Sequence, residues 1–200
     1  LSALAAVKTI WISLDIDESY ALAVAYRLAT GERLFSDLWE SHQLGGIVLA
    51  PFLWLYLKLA GTTTYLVIYS RVAGTLIHIL TGIFLYKTAV NVGKISELFS
   101  ALLFFLHVNF LPKWVQCPEF ELQQYWFVLL IFLCFYRYYQ GERKRRGYLA
   151  VSGVLLVGQM FSYPSLIFLY PVYLTGIIRC RKEYAEKKKT PGEALWFTAG

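Results

Sequence analysis

The chain has 200 residues, of which 58% are hydrophobic, 18% aromatic and only 16% charged, with a mean hydropathy of +0.50. Water-soluble domains carry about a quarter charged residues and keep their apolar positions periodic. The long continuous apolar runs found here exclude a soluble enzyme, a secreted disulfide scaffold and a disordered tail, and predict an all-α polytopic membrane protein. Cys117, Cys134 and Cys180 are odd in number and scattered, which suits neither a disulfide framework nor a zinc site.

In chain order, residues 1–14 are apolar but too short to cross a bilayer, and Lys8 interrupts them. They read as the end of a truncated first helix rather than a cleavable signal. Residues 15–43 then hold six of the thirteen acidic residues, including every aspartate, against only Arg27 and Arg33. Such an acidic, aromatic loop without excess Lys or Arg reads as extracytoplasmic. Ser19 or Asp17 is predicted to cap a helix from about Tyr20 to Thr30, ended by Gly31. Capping accounts for one acid. It leaves unexplained a cluster of Asp15, Asp17 and Glu18 followed by Asp37, Glu40 and His42. Crowded carboxylates raise one another's pKa and suit a general base or a cation site.

Leu44–Ala60 is apolar but shorter than the ~20 residues of a usual crossing. It contains Pro51, ends near Lys58 and is rich in Phe52, Trp54 and Tyr56, residues that favour the membrane–water boundary. An interfacial helix is preferred; a short ordinary span is the alternative. The choice sets sidedness, because an interfacial segment leaves an odd number of spans between the acidic loop and Arg143, and so places that loop outside.

Spans are predicted at 65–90, 97–111 and 122–139, followed by an apolar segment Tyr148–Ile178 between two basic clusters. The clusters, Arg143-Lys144-Arg145-Arg146 and Arg179, Arg181, Lys182, Lys187, Lys188, Lys189, hold ten of the nineteen Lys and Arg. Clusters set directly against apolar runs mark cytoplasmic flanks. A nucleic-acid surface would need readout residues on a soluble domain, so no nucleic acid is expected despite a net charge of +6. If both clusters share a side, 148–178 must enter and return, as helices 148–162 and 164–178 broken by Pro164 and Pro171 near Tyr163, before a basic cytoplasmic loop at 179–193. The chain ends as Ala194-Leu195-Trp196-Phe197 opens a new apolar stretch, so residues 1–200 are expected to be the N-terminal part of a longer protein. His78 and His107 read as helix-packing hydrogen bonders, and Gly74, Gly82, Gly153 and Gly158 as sites of close helix contact. Glu119 and Glu121 face the same side as Asp17 and are expected to be solvated loop acids, with a share in a donor or metal site as the alternative. Arg71, just inside a span, is costly unless it meets a ligand or a carboxylate, or snorkels to the surface.

The order Asp17-Glu18-Ser19-Tyr20, then Arg27-Leu28-x-x-Gly31-Glu32, then Asp37-x-Trp39-Glu40-x-His42-Gln43, an amphipathic segment and a span opening with Arg71 resembles the first extracytoplasmic loop of GT-C glycosyltransferases. The similarity is to the dolichyl- or polyprenyl-phosphate-mannose protein mannosyltransferases and their bacterial aminoarabinose-transferase-like cousins. Gly153-Val154-Leu155-Leu156-Val157-Gly158 and Tyr163-Pro164-Ser165 are similar to that family's later helical hairpin.

The resemblance implies a GT-C-type helical bundle with juxtamembrane helices in a first loop at 15–64. It implies direct transfer, with inversion, of a hexosyl or pentosyl group from a polyprenyl-phosphate donor to a glycan, lipid or protein acceptor. By resemblance Asp17 is the general base, Glu18 its paired acid and Arg71 the holder of the donor phosphate. Asp15, Tyr20, Asp37, Glu40, His42 and Gln43 are candidate site-liners. His42 and Gln43 stand where many members have His-Pro-Pro, and the diproline is missing here. No metal ligand is assigned, and the only cofactor considered is a divalent cation on the departing phosphate. The expected location is multi-pass in the plasma (inner) membrane of a prokaryote.

The chemistry also stands on its own. Nucleotide sugars are absent outside, so a membrane-soluble sugar phosphate is the available donor, and its displacement needs a base on the hydroxyl and a cation on the phosphate. The rivals are a transporter or flippase subunit with an acidic cation or proton site, and a non-catalytic GT-C-like membrane protein. Transporters place ionisable groups mid-membrane on broken helices, whereas these acids sit in a loop.

Overall fold

The computed structural model describes residues 7–12, 15–40, 42–110, 117–140, 147–185 and 197–199, with side chains of the last long helix described through Arg179. Its main helices are α1 (Ile16–Ala29), α2 (Gly45–Ala60), α3 (Leu66–Asn91), α4 (Glu97–Asn109), α5 (Phe120–Gln140), α6 (Gly147–Ser162) and α7 (Leu169–Ala185), with a 3-10 turn at Pro164–Phe168. Among the described residues there is no strand, only an isolated bridge between Leu34 and Leu38.

Local chemistry sets the boundaries. Asp15 rather than Ser19 or Asp17 caps α1, accepting from the Asp17 amide, so the helix starts ahead of the predicted position and takes both Asp17 and Glu18 into its first turn. Thr30 ends it, and Gly31 follows at φ +105. Gly61, left-handed at φ 64, closes α2, and the Ser96 hydroxyl accepts from the Phe99 amide to start α4.

Each of the five segments predicted as spans overlaps a helix among the described residues. Only α3, among the described residues, is long and apolar enough to cross a membrane by itself; α2, α4, α6 and Pro164–Arg179 are apolar but shorter. The last predicted helix begins as a 3-10 turn and becomes α-helical at Leu169. Pro171 then falls in the first turn of α7, where an amide would have no intrahelical acceptor, so it is tolerated rather than disruptive. The cluster 143–146 and residues 186–196 lie outside the described residues.

α1 and α2 form an antiparallel pair around Leu22, Ala25, Leu49 and Leu53, with Cys117 in the same core. α5 and α6 are also antiparallel: the Ser162 hydroxyl donates to Gln123 at 3.0 Å near one end, and Arg137 to the Tyr148 hydroxyl at 3.1 Å near the other. α7 returns along them, setting Tyr173 opposite Gln159 and Ile177 against Ile131 and Leu156. α2 touches α3 through Tyr56 against Tyr69, and the start of α5 and end of α6 through Gly45 beside Phe120, Gln123 and Phe161. It therefore bridges helix ends.

Several helices turn apolar faces outward while polar groups are buried between them. Val72, Leu76, Leu80 and Ile83 of α3, Leu98, Leu102, Phe105 and Leu106 of α4, and Val151, Val154 and Val157 of α6 are exposed, while His78, Thr81, Thr88, Ser100, His107, Ser152 and Gln159 are buried. α3 and α4 are joined by a reciprocal histidine pair. His78 Nε2 donates to the His107 carbonyl at 2.8 Å and His107 Nε2 to the His78 carbonyl at 2.9 Å, with the rings stacked at 4.2 Å. Trp126 of α5 donates its indole N–H to His78 Nδ1 at 2.9 Å, and the Tyr125 hydroxyl meets His107 Nδ1 at 2.7 Å. Both histidines are thus packing hydrogen bonders.

Two of the predicted small-residue contacts are tight. A Cβ at Gly82 would lie 2.8 Å from His107 Cδ2, and one at Gly158 2.6 Å from Phe127 Cζ. Gly82→Ala and Gly158→Ala are each expected to lower stability by about 1–3 kcal/mol through overpacking. Gly176, which has nothing within 4 Å of such a Cβ, should accept Ala without loss. Thermal unfolding of the three variants in one detergent checks this.

Candidate functional site

The site forms where α1 starts. On a helix of 3.6 residues per turn, Glu18 shares a face with Leu22 and Ala25, both of which enter the core with α2. That face carries the Glu18 carboxylate to complete burial, at 0% exposure. Arg71 of α3, 1% exposed, meets it with both edges of its fork, Nε to Oε1 at 2.6 Å and Nη2 to Oε2 at 2.5 Å. Nη1 donates to the carbonyls of Ile10 at 2.8 Å and Ile12 at 2.7 Å. One guanidinium therefore ties the N-terminal segment, α1 and α3 together, and the carboxylate also lies at the positive end of the α1 dipole.

Neighbouring groups complete this buried layer. Ser70 is fully buried, and the Cys117 thiol approaches its hydroxyl at 3.7 Å. Burial, reinforced by the negative charge of Glu18, pushes the Cys117 thiol pKa well above its usual range, so the thiol stays protonated and unreactive at neutral pH. Glu119 is not a solvated loop acid. It is 1% exposed and caps α5, its carboxylate accepting from the amides of Glu121 and Leu122 at 3.0 Å each. Acid-Phe-Glu ahead of an apolar run is the signal that could have shown this.

The adjoining side of α1 lines a crevice. Tyr20, Ala21 and Val24 face His42, Gly45, Gly46, Phe120 and Gln123 across space for about one water molecule. Asp17, half-exposed, lies one turn before Tyr20 and Ala21 on this same face. Gly46 lets α2 close on α1, since a Cβ there would lie 2.7 Å from Val24 Cγ1. Gln123 fixes the far wall: its Nε2 donates to the carbonyls of Gly45 at 3.2 Å and Pro118 at 2.6 Å. His42 is held between Phe120 at 4.9 Å and Tyr163 at 5.0 Å, in a left-handed backbone at φ 59, and its buried Nδ1 has no hydrogen-bond partner among the described residues.

The other sequence candidates have other places. Asp15 is the α1 cap. Gln43 is buried and its Oε1 accepts from the Glu40 amide at 3.3 Å. Asp37 closes the turn at 33–38, accepting from the Arg33 amide at 2.9 Å, and Glu40 is exposed. Arg27, paired with Glu32 at 2.6 Å, donates to the Asp37 carbonyl and braces this loop. So the structure brings Tyr20 and His42 to one crevice, with Asp17 one turn before Tyr20 on the same side of α1 and Glu18 paired with Arg71 on the neighbouring side. Among the described residues no group of three or more His, Cys, Asp or Glu is placed to hold a metal ion. No family model matches the chain, no curated protein is detectably similar in sequence, and no solved structure is detectably similar in fold.

Breaking a buried pair by removing one partner leaves an uncompensated charge, at a cost of about 3–5 kcal/mol. Glu18→Ala and Arg71→Ala should each destabilise by that order, whereas Glu18→Leu combined with Arg71→Met should recover most of the loss. A double-mutant cycle on chemical unfolding in detergent measures the coupling. Cys117 should resist a maleimide at neutral pH in the folded protein and react once the protein is unfolded in dodecyl sulfate. Quantitative labelling of the folded form would contradict its burial.

Proposed function

We propose that the chain is part of a multi-pass membrane glycosyltransferase of GT-C type, moving a sugar from a polyprenyl-phosphate donor to a hydroxyl acceptor on the extracytoplasmic face. One observation carries the reading. Two adjacent carboxylates have opposite environments: Glu18 is buried and clamped, while Asp17 is half-exposed on the crevice face of the same helical turn. Fixed support beneath an accessible carboxylate is what a positioned general base needs.

In this reading the acceptor hydroxyl gives its proton to Asp17 as its oxygen attacks the anomeric carbon. The bond from that carbon to the phosphate oxygen breaks, the electron pair leaves with the lipid phosphate, and the configuration inverts. Arg71 acts as a positioning residue, because its donors are engaged by Glu18, Ile10 and Ile12. This replaces the role in donor-phosphate binding that the resemblance gave it. Tyr20 and His42 line the approach to Asp17.

The exposed apolar faces of α3, α4 and α6 and the hydrogen-bonded polar groups between helices support a bilayer setting. The way α2 bridges helix ends, with Trp54 exposed beside Lys58, supports its lying in the interface. A donor whose tail lies in lipid would then reach Asp17 from the side.

The test uses the full-length protein in membranes supplied with polyprenyl-phosphate-linked mannose and, separately, aminoarabinose, reading release of polyprenyl phosphate. Asp17→Asn should lower the rate by about 100-fold or more at unchanged protein level, the range general-base removal gives. Asp37→Asn should leave the rate unaltered. Full activity in Asp17→Asn would remove this aspartate from the chemistry.

A further inference from the structure

Three arginines with described side chains are buried or half-buried: Arg27, Arg71 and Arg137. Two have carboxylate partners, Glu32 and Glu18. Arg137 has none within ion-pair distance among the described residues. It is nevertheless firmly held. Its Nε donates to Thr88 Oγ1 at 2.7 Å, its Nη1 donates to the Tyr148 hydroxyl at 3.1 Å, and its guanidinium carbon lies 4.7 Å from the centroid of Phe84. Nη2 makes no hydrogen bond to a described residue and is not sealed from solvent.

A cation partly withdrawn from water, oriented by neutral groups and, among the described residues, without a carboxylate partner is incomplete electrostatically. Its position indicates what completes it. Arg137 is in the last turn of α5, Thr88 is near the end of α3, and Tyr148 is in the first turn of α6. All three lie at helix ends, at headgroup depth for a chain whose α3 crosses a bilayer. Lys87 is exposed next to Thr88, and the connection from α5 to α6 carries Arg143-Lys144-Arg145-Arg146 in sequence. A planar guanidinium with one edge anchored and the other open suits the paired oxygens of a phosphate.

We infer that Arg137, oriented by Thr88 and Tyr148, binds the headgroup phosphate of an anionic membrane lipid, with Lys87 beside it. The inference needs a membrane around α3 but is independent of sugar transfer. It assigns a specific lipid site to the end of the bundle away from Asp17, beyond the diffuse attraction of a basic loop.

The experiment places the full-length protein in nanodiscs of phosphatidylcholine with a minority of phosphatidylglycerol, then measures the lipids retained after transfer to neutral detergent. Wild type should retain phosphatidylglycerol about fivefold above its bulk share, the scale of one well-placed cation near an anionic headgroup. Arg137→Gln should abolish the enrichment, Arg137→Lys should keep part of it, and glutamine at all four positions 143–146 should leave it in place. Unchanged enrichment in Arg137→Gln, or its loss only in the four-site variant, would overturn the proposal in favour of the basic loop. Displacement of the lipid by millimolar inorganic phosphate would equally overturn it, by making the ligand a soluble ion. Should Arg137→Gln fail to fold by circular dichroism, Tyr148→Phe decides. It removes only the orienting hydroxyl, so enrichment falls if Arg137 is the site and holds if it is not.

Discussion

A carboxylate and a guanidinium inside an apolar helical assembly are each unfavourable alone and acceptable only together. The pair of Glu18 and Arg71 is fully buried and closed on both edges of the fork. The two residues belong to different helices, with the acidic loop and all of α2 between them. A pair worth several kcal/mol once half-broken fixes where α1 meets α3, and the carbonyls of Ile10 and Ile12 add the N-terminal segment to the same point. One residue along an α-helix turns a side chain by about 100°. The clamp that sinks Glu18 therefore turns Asp17 to the side where Tyr20, Ala21 and Val24 line the crevice. Adjacent acids acquire different roles from a single contact.

The rest of the bundle depends on the same kind of interaction. If lipid surrounds these helices, apolar burial between them gains little, and association rests on close packing and interhelical hydrogen bonds. Such ties occur at the main helix contacts: the histidine pair and Gly82 between α3 and α4, Trp126 to His78 between α5 and α3, and Gln123 to Ser162 between α5 and α6. The histidines close on each other's carbonyls, on an indole and on a phenol. That closure weighs against the transporter reading, in which mid-membrane ionisable groups line a path.

The long elements were legible in the sequence because continuous apolar runs and proline breaks specify them locally. The span predicted at 65–90 corresponds to Leu66–Asn91, and the predicted break near Tyr163 falls between Ser162, where α6 ends, and the 3-10 turn that begins at Pro164. That Arg71 must meet a ligand or carboxylate or else snorkel to the surface also followed from its position in an apolar run, by solvation energy alone. Which group would meet it did not. That depends on whether α1 starts at Asp15 or near Ser19, and several residues there can cap; a shift of a residue or two exchanges the fates of Asp17 and Glu18. The burial of Glu119, the stacking of His42 between Phe120 and Tyr163 and the anchoring of Arg137 by Thr88 join residues far apart in sequence, with no local pattern to show them.

Sidedness can be argued from α3 without settling the number of spans. Arg71 lies near its start and Thr88 near its end, so a membrane crossed by α3 separates the Glu18–Arg71 pair from Arg137. The first cation is neutralised inside the protein; the second, among the described residues, lacks a carboxylate and leads by sequence into Arg143-Lys144-Arg145-Arg146. Uncompensated positive charge beside a span is retained on the cytoplasmic side. In the proposed membrane setting the crevice on the Asp17 side of α1, at the other end of α3, then faces away from the cytoplasm. In the proposed reading a base placed there has no nucleotide sugar within reach, and a sugar carried on a lipid phosphate is the electrophile left to it.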